Sequence, residues 1–388
     1  MDTCHVCAGG DLREFPQYAS LARVTSDCRP WPSGGRLVMC GGCGSVQKVI
    51  DGRWQSEADD IYASYSLYFQ SAGGAEQAVF TAGASGPVFR SDRLVSEVIR
   101  HGALPASGRL LDIGCGNGAF LRAFSQALPG WTLAGTELSD ATRAAVESIP
   151  RVEALYTCPL AETPGPFSVV SLVHVLEHIA HVPTLLAAVA DKLAPGGLLF
   201  VEVPSSASNP FDLLIADHAS HFTRESLTGA LEAAGFRIVT VSETWVSKEL
   251  SVLAVYGGAP LTDGAAAGAD RGQWVPGALD WLLSVRESAR TLRAGAGTQP
   301  FGLFGSSIAA TWLAQELDRA MAFFVDEDAS RQGMRFMDRP VVSPSEVPAG
   351  STVFVGIGGG LAAPVAQRLA QAMPSVSWVP APALEVLA

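Results

Sequence analysis

Charge is scarce in this sequence. Asp, Glu, Lys and Arg make up 16% of 388 residues, and the balance is acidic, 26 Lys and Arg against 38 Asp and Glu. A protein that grips nucleic acid through its phosphates carries a basic face. No Lys/Arg cluster offsets the net charge of -12, so nucleic acid is not an expected partner. A long unbroken apolar run is missing too. The most apolar stretch, Phe167 to Leu193, is interrupted by His174, Glu177, His178 and His181 and does not read as a membrane span. The opening MDTCHVC has neither a basic segment nor an apolar one of the kind a secretory signal needs, so the expected location is cytoplasmic. The 40 Gly and 24 Pro follow no Gly-X-Y period, which excludes a collagen-like chain, and no short-period repeat is visible.

Apolar residues, at 48%, are enough to bury large cores and exclude a mostly disordered chain. The length predicts two to four domains at roughly 100–200 residues each. Residues 1–55 are rich in loop-forming residues and hold five of the seven cysteines. Residues 56–105 form a connector with an aromatic stretch, DIYASYSLYFQ, and a helix that Ser91 is placed to cap, with Leu94, Val95, Val98 and Ile99 on one face. Residues 106–258 alternate apolar strands with amphipathic helices, the pattern of a largely parallel sheet covered on both faces. The strands expected are Arg109–Ile113, Thr132–Thr136, Ser168–Val173, Leu198–Val203, Arg237–Val241 and Ser251–Tyr256, the last two a closing pair. Residues 259–298 comprise the small, polar linker TDGAAAGADRGQ and a helix over Ala278–Leu292. Residues 299–388 restart the strand–helix alternation as a second, smaller α/β unit.

Cys4-x2-Cys7 and Cys40-x2-Cys43 are two knuckles that can each present two thiolates to one ion, and four thiolates in a tetrahedron select zinc. The alternative is four reduced, unliganded thiols. His5 and Cys28 lie nearby but not at the paired spacing. Four cysteine ligands close the coordination sphere, so the zinc is expected to be structural.

The stretch GRLLDIGCGNGAF ends an apolar strand at Asp112 and turns through Gly114-x-Gly116-x-Gly118 into a helix. Glycines allow close backbone approach to a ligand, and a helix N-terminus favours negative charge. A second strand, in WTLAGTEL, ends at Glu137, where a carboxylate can accept both hydroxyls of a ribose. A dinucleotide-dependent dehydrogenase shares this logic. Together with FSVVSLVHVLEHI and LAPGGLLFVEVP in the same order, however, these pieces resemble the class I S-adenosylmethionine (SAM)-dependent methyltransferases across residues 106–258. The resemblance implies that Asp112, Gly114, Cys115, Gly116 and Asn117 hold the methionine part and Glu137 the ribose. It places Leu160, in the Cys158–Ala161 region, beside the adenine, and makes His174 a cofactor contact.

Five of the seven histidines, His174, His178, His181, His218 and His221, fall between the strand Ser168–Val173 and residue 222, where strand ends form the ligand crevice. Imidazole titrates near neutrality and can take a proton from a methyl acceptor. His178, His218 and the adjacent Asp217 are the candidates for that work; packing or helix capping is the alternative for each.

The paired cysteines, the SAM-type domain and a C-terminal unit with VDEDASRQG and PVVSP resemble the deoxysugar C-methyltransferase family, whose members act on nucleotide-linked 4-keto sugars. The resemblance implies that His178 and the Asp217-His218 pair lie near the reacting centre, with a tyrosine from the first region, Tyr65 or Tyr68, and Tyr65 taken first. A base would remove the proton beside the ketone, and the enolate would attack the methyl. The chain departs from the family in Ile215-Ala216-Asp217-His218, where Tyr-x-Glu-His is usual, in Glu177 where Ala is common, and in FGLFGSS, which lacks the usual lysine. The expected architecture is therefore α/β: a class I methyltransferase Rossmann-like domain flanked by an N-terminal zinc-binding domain and a smaller C-terminal Rossmann-like domain. The expected cofactors are SAM and a structural Zn2+. The expected partner is a small molecule, an activated sugar or glycan, with no nucleic acid and no membrane, bound by a monomer or homodimer. O-methylation of a glycan, lipid or natural-product hydroxyl is the alternative activity.

Overall fold

Short apolar runs without alternation mark strands buried on both faces. Val169, Val170 and Leu172 in Phe167–Val173, and Leu199, Phe200, Val201 and Val203 in Leu193–Pro204, are all fully buried. In the computed structural model, which describes residues 2–65, 78–79, 88–257, 274–358 and 360–384, these strands lie at the middle of a seven-stranded sheet. Its order across the sheet is Val152–Tyr156, Trp131–Thr136, Gly108–Ile113, Phe167–Val173, Leu193–Pro204, Glu249–Tyr256 and Phe236–Ser242. The first five run parallel; Glu249–Tyr256 is antiparallel to both of its neighbours. The strand order reverses between Gly108–Ile113 and Phe167–Val173, and a crevice opens at such a reversal beyond the strand C-termini.

Helices Arg90–Gly102 and Ala119–Ala127 cover one face through Leu94, Val95, Val98, Phe120 and Phe124. Helices Val182–Lys192 and Arg224–Ala233 cover the other through Leu186, Val189, Leu227 and Leu231. Two details differ from the sequence expectation. Helix Arg90–Gly102 is preceded by Phe89 at its N-cap, so Ser91 is buried inside the first turn instead of capping it. The edge strand Val152–Tyr156 differs from the expectation, because a run of five residues after Arg151, in a left-handed conformation, gives a weak periodic signal.

The first segment builds a four-stranded sheet, Leu12–Glu14, Leu37–Cys40, Val46–Lys48 and Ser220–His221. Its fourth strand comes from the methyltransferase-like domain, with Ser220 opposite Gln47 and His221 opposite Val46. The C-terminal unit is a six-stranded sheet, parallel except for Arg335–Phe336, in the order Arg335–Phe336, Arg339–Val342, Phe323–Val325, Phe301–Phe304, Thr352–Val355 and Ser377–Pro380. Helix Trp274–Gly295 extends past the expected Ala278–Leu292 at both ends because Trp274 and Val275 are also buried. The linker sequence at 261–273 and Tyr68 lie outside the described residues. Among the described residues, no helix is long and apolar enough to cross a membrane.

Phe15, Tyr18, Leu21, Val24 and Cys28 of the first segment share one hydrophobic core with Phe211, Leu213 and Leu214, and with Trp312, Leu313 and Phe324 of the C-terminal unit. Polar contacts reinforce this seam. Gln315 Nε2 donates to the Arg23 carbonyl at 2.8 Å, and Thr311 Oγ1 to the Cys28 carbonyl at 3.1 Å. Replacing the fully buried Trp312 by Ala is expected to destabilise the fold by about 3–5 kcal/mol. Because the core is shared, Cys28 should become reactive toward thiol reagents in the same urea transition that unfolds the C-terminal unit, as read by peptide mapping. Separate transitions would show that the two segments are not energetically coupled.

Candidate active site

The strand Gly108–Ile113 delivers Asp112 and the glycine loop to the crevice. Gly114 and Gly118 have φ of +65° and +77°, and a Cβ would meet Val175 Cγ2 at 2.6 Å and Ile149 Cδ1 at 2.5 Å, respectively. Only glycine permits both the turn and the close approach. Gly116 N donates to Glu137 Oε1 at 2.6 Å, and Leu138 N to Glu137 Oε2 at 3.1 Å, so two backbone amides fix the carboxylate at the second strand end. Cys115 is buried behind the loop, Asn117 accepts from Ala119 N at 3.2 Å, and Leu160 opens the short turn after the third strand. A close-approach loop, a helix N-terminus and an anchored carboxylate fit SAM. Asp112 accepts from Ser171 Oγ at 2.7 Å. Burial pushes its carboxyl up to about 7, against the Ser171 hydroxyl and with the charge of Glu137.

The cluster around His178 and His218 is built from three separate stretches. The apolar spacing of Trp54, Ala58 and Ile61 makes the helix Gly52–Ala63, capped by Asp51, whose side chain accepts from Trp54 N. Trp54 Nε1 donates to the Ala216 carbonyl at 3.1 Å, which ties this helix to the loop carrying Asp217 and His218. On its last turn Tyr62 brings its hydroxyl 2.9 Å from His178 Nδ1. The Asp217 carbonyl lies 3.2 Å from the same nitrogen. A carbonyl only accepts, so Nδ1 carries the proton and Nε2 is the free base. The rings of His178 and His218 meet edge to face, centroids 4.6 Å apart.

The two histidines are tuned in opposite directions. Burial and the charge of His218 push His178 below its ordinary value. Burial opposes the charge of His218 as well, but Asp212, with an oxygen 2.7 Å from Nδ1, outweighs it and raises the group. Asp212 also faces His221 Nδ1 at 2.6 Å and accepts from Ser206 Oγ at 2.6 Å. Burial disfavours its charge, yet His221 and His218 hold it well below the usual carboxylate range. His221 Nε2 meets Lys48 Nζ at 2.8 Å; burial and the Lys48 charge lower His221 to about 4.

The structure brings the rings of His178 and His218 together, with other neighbours than the sequence suggested. Asp217 does not hold His218. Its carboxylate accepts from Ser26 N at 2.9 Å and Ser26 Oγ at 2.5 Å, with one oxygen 3.5 Å from His178 Nδ1. Tyr65 stands one ring behind, 6.0 Å from Tyr62, and is 39% exposed; among the described residues, Tyr62 is the tyrosine that reaches His178. Asp212 and Tyr62 were missed. Their signals were an acid inside the apolar run FDLLI and the last turn of a capped helix. His174 stands apart from the pair, its ring among Glu177, Glu202 and Glu249.

The four paired cysteines converge. Cys4 Sγ lies 3.4 Å from Cys43 Sγ and Cys7 Sγ 3.6 Å from Cys40 Sγ, all four within 4.8 Å of one another. Zinc–sulfur bonds of about 2.3 Å at tetrahedral angles put sulfurs about 3.8 Å apart, so the cluster fits a zinc ion. The Val6 amide points at Cys4 Sγ, as expected at a thiolate centre.

Residues 89–241 match the protein-family model described as a methyltransferase domain. The chain is 30% identical over 261 residues to the C-methyltransferase NovU of Streptomyces niveus, covering 62% of this chain and 57% of that protein. It is 39% identical over 110 residues to the ubiquinone biosynthesis O-methyltransferase of Caulobacter sp. strain K31, covering 26% of this chain and 43% of that protein. The chain therefore spans about half the length of these curated relatives. Among solved structures it is similar to the Burkholderia thailandensis 1,6-didemethyltoxoflavin-N1-methyltransferase with bound 1,6-didemethyltoxoflavin and S-adenosylhomocysteine, at 19% identity and a TM-score of 0.40, over 55% of this chain and 96% of that one. The fold is that of the class I SAM-dependent methyltransferases, joined to a cysteine cluster able to bind a metal.

Two expectations follow. Asp112 is ionised only above about 7 in the folded chain but near 3.9 when unfolded, so its penalty is absent at low pH and grows as pH rises through that window. Asp112→Asn is expected to raise the melting temperature at pH 8, with the gain vanishing toward pH 4, and to weaken S-adenosylhomocysteine binding about tenfold. An Asn variant no more stable than the wild type at pH 8 would contradict the buried-charge account. Metal analysis is expected to find one zinc per chain, and Cys40→Ser to abolish it and lower the melting temperature; zinc retained at full occupancy would reject the four-cysteine site.

Proposed function

We propose that the protein is a SAM-dependent methyltransferase acting on a small organic acceptor of the natural-product or carbohydrate class, with His178 as the base. The observation that carries this reading is the histidine pair, with burial and the charge of His218 pushing His178 down and Asp212 raising His218 against burial. When bound, SAM supplies an activated methyl whose leaving group departs as a neutral thioether. What remains for the chain is position and a base. Nε2 of His178 takes the acceptor proton, with Nδ1 fixed by the Asp217 carbonyl and Tyr62. The His218 imidazolium stabilises the negative charge that develops on the acceptor as its proton leaves.

A hydroxyl is the acceptor favoured by the relatives named as O-methyltransferases, and the pair needs nothing more to serve it. A second reading, carbon methylation beside a ketone of a nucleotide-linked sugar, is favoured by NovU, whose match extends over 62% of this chain. The same residues serve that reaction, with the cation of His218 facing an enolate oxygen.

Titration of the S-adenosylhomocysteine-saturated protein with dTDP, UDP, GDP and CDP separates the two. Selective micromolar binding of one favours the sugar-carbon reading; binding of none favours the hydroxyl. With an acceptor in hand, NMR of the product from SAM carrying a carbon-13 methyl places the new bond. His178→Asn and His218→Asn are expected to lower turnover by about 100-fold or more while S-adenosylhomocysteine affinity stays unchanged. Full turnover in both variants would overturn the assignment.

A further inference from the structure

Beyond the histidine pair, a second polar cluster sits at the C-terminal ends of the two central strands. His174 follows Phe167–Val173 directly, Glu202 lies in Leu193–Pro204, and Glu249 opens the antiparallel strand beside it. His174 Nε2 is 3.6 Å from Glu202 Oε1 and 3.6 Å from Glu249 Oε2. These distances are too long for hydrogen bonds. Four buried atoms meet here with no hydrogen-bond partner among the described residues: His174 Nε2, Glu177 Oε2, Glu202 Oε1 and Glu249 Oε2. Buried polar atoms of native proteins are seldom left unpaired. Glu202 is fully buried, and its free oxygen points at the imidazole nitrogen.

We propose that His174, Glu202 and Glu249 form a divalent-cation site, separate from the cysteine cluster. One nitrogen and two carboxylate oxygens about 2.1 Å from an ion at tetrahedral angles lie about 3.4 Å from one another, close to the spacing of this cluster. The surrounding contacts are those that prepare ligands for a metal. Glu177 Oε1 lies 3.1 Å from His174 Nδ1 and accepts its proton, which leaves Nε2 as the lone-pair nitrogen facing both acids. Ser251 Oγ donates to Glu202 Oε2 at 3.1 Å and turns the other oxygen toward the site. The Arg90 guanidinium stays 3.8 Å from Glu202 and 3.9 Å from Glu249. Once an ion displaces the proton that Glu249, Glu177 and Glu202 otherwise favour on His174, the three carboxylates and the guanidinium of Arg90 sum to two negative charges, which the divalent ion neutralises. Asp212 offers no such vacancy, since Ser206, His218 and His221 already occupy its oxygens at 2.6–2.7 Å. A mixed nitrogen–oxygen donor set suits a first-row ion such as Mn2+, whereas the four thiolates suit zinc.

Mn2+ titration of the zinc-loaded full chain tests this, with the electron paramagnetic resonance signal of free Mn2+ as readout. The expected result is loss of one equivalent of free signal per chain and, in pulsed spectra, a nitrogen coupling that changes when the protein is labelled with nitrogen-15 histidine. Glu202→Gln and His174→Asn should abolish binding, and Glu177→Gln should weaken it about 10–100-fold. A free-Mn2+ signal undiminished at millimolar ion overturns the proposal. Bound Mn2+ without a histidine nitrogen also overturns it, even where the variants fail to fold, and so does binding unchanged in folded variants.

Discussion

The histidine cluster depends on one buried carboxylate. Asp212 is in the interior, where an unpaired negative charge costs several kcal/mol, so its partners must all be in place for the fold to hold it ionised. Those partners are Ser206, His218 and His221, each within 2.7 Å. His221 is also the strand residue that extends the N-terminal sheet, and its far nitrogen meets Lys48 of the neighbouring strand. Satisfying one charge therefore fixes the His218 ring, the attachment of the first segment, and the path of the loop between residues 206 and 221.

The opposed tuning of His178 and His218 follows from the same arrangement. Two adjacent imidazoles resist double protonation, and the carboxylate is given to one of them. Asp212 favours the protonated form of His218, burial and that charge favour the neutral form of His178, and Nδ1 of His178 is engaged by Tyr62 and the Asp217 carbonyl. Asp217 lies next to His218 in sequence, yet its oxygens are taken by Ser26 of the first segment. The adjacency suggested a dyad; the chain's folding supplies a different acid six residues upstream.

The cofactor half was legible because its constraints are local. Asp112, the glycine loop and Glu137 follow one another along strand, turn and strand, and each reports its own backbone need. The cysteine knuckles were legible for the same reason, since two close pairs can be counted. Tyr62 and Asp212 were not, because their roles exist only across distance: Tyr62 reaches His178 over 116 residues of chain. Nor did composition reveal that the first segment and the C-terminal unit share a core, since apolar residues such as Tyr18 and Trp312 carry no mark of which partner buries them. The inward position of Glu249–Tyr256 in the sheet was equally hidden, because a hairpin pattern is the same whichever strand lies outermost.

The division between the two halves also governs how much similarity can say about the acceptor. The matched methyltransferase domain, residues 89–241, contains the glycine loop, Glu137, His178, Asp212 and His218. Ser26, Lys48, Trp54 and Tyr62, which fix the rings and the loop that bears them, all lie before it. A relative aligned over 110 residues shares a frame for holding a methyl donor, not the walls that meet the acceptor. Those walls are carried by the segment that the cysteine cluster anchors, with Cys40 at the end of one strand and Lys48 on the next. A zinc ion there would stiffen the strand pair that positions Lys48 against His221, so a centre remote from the chemistry would still set the geometry on which acceptor choice depends.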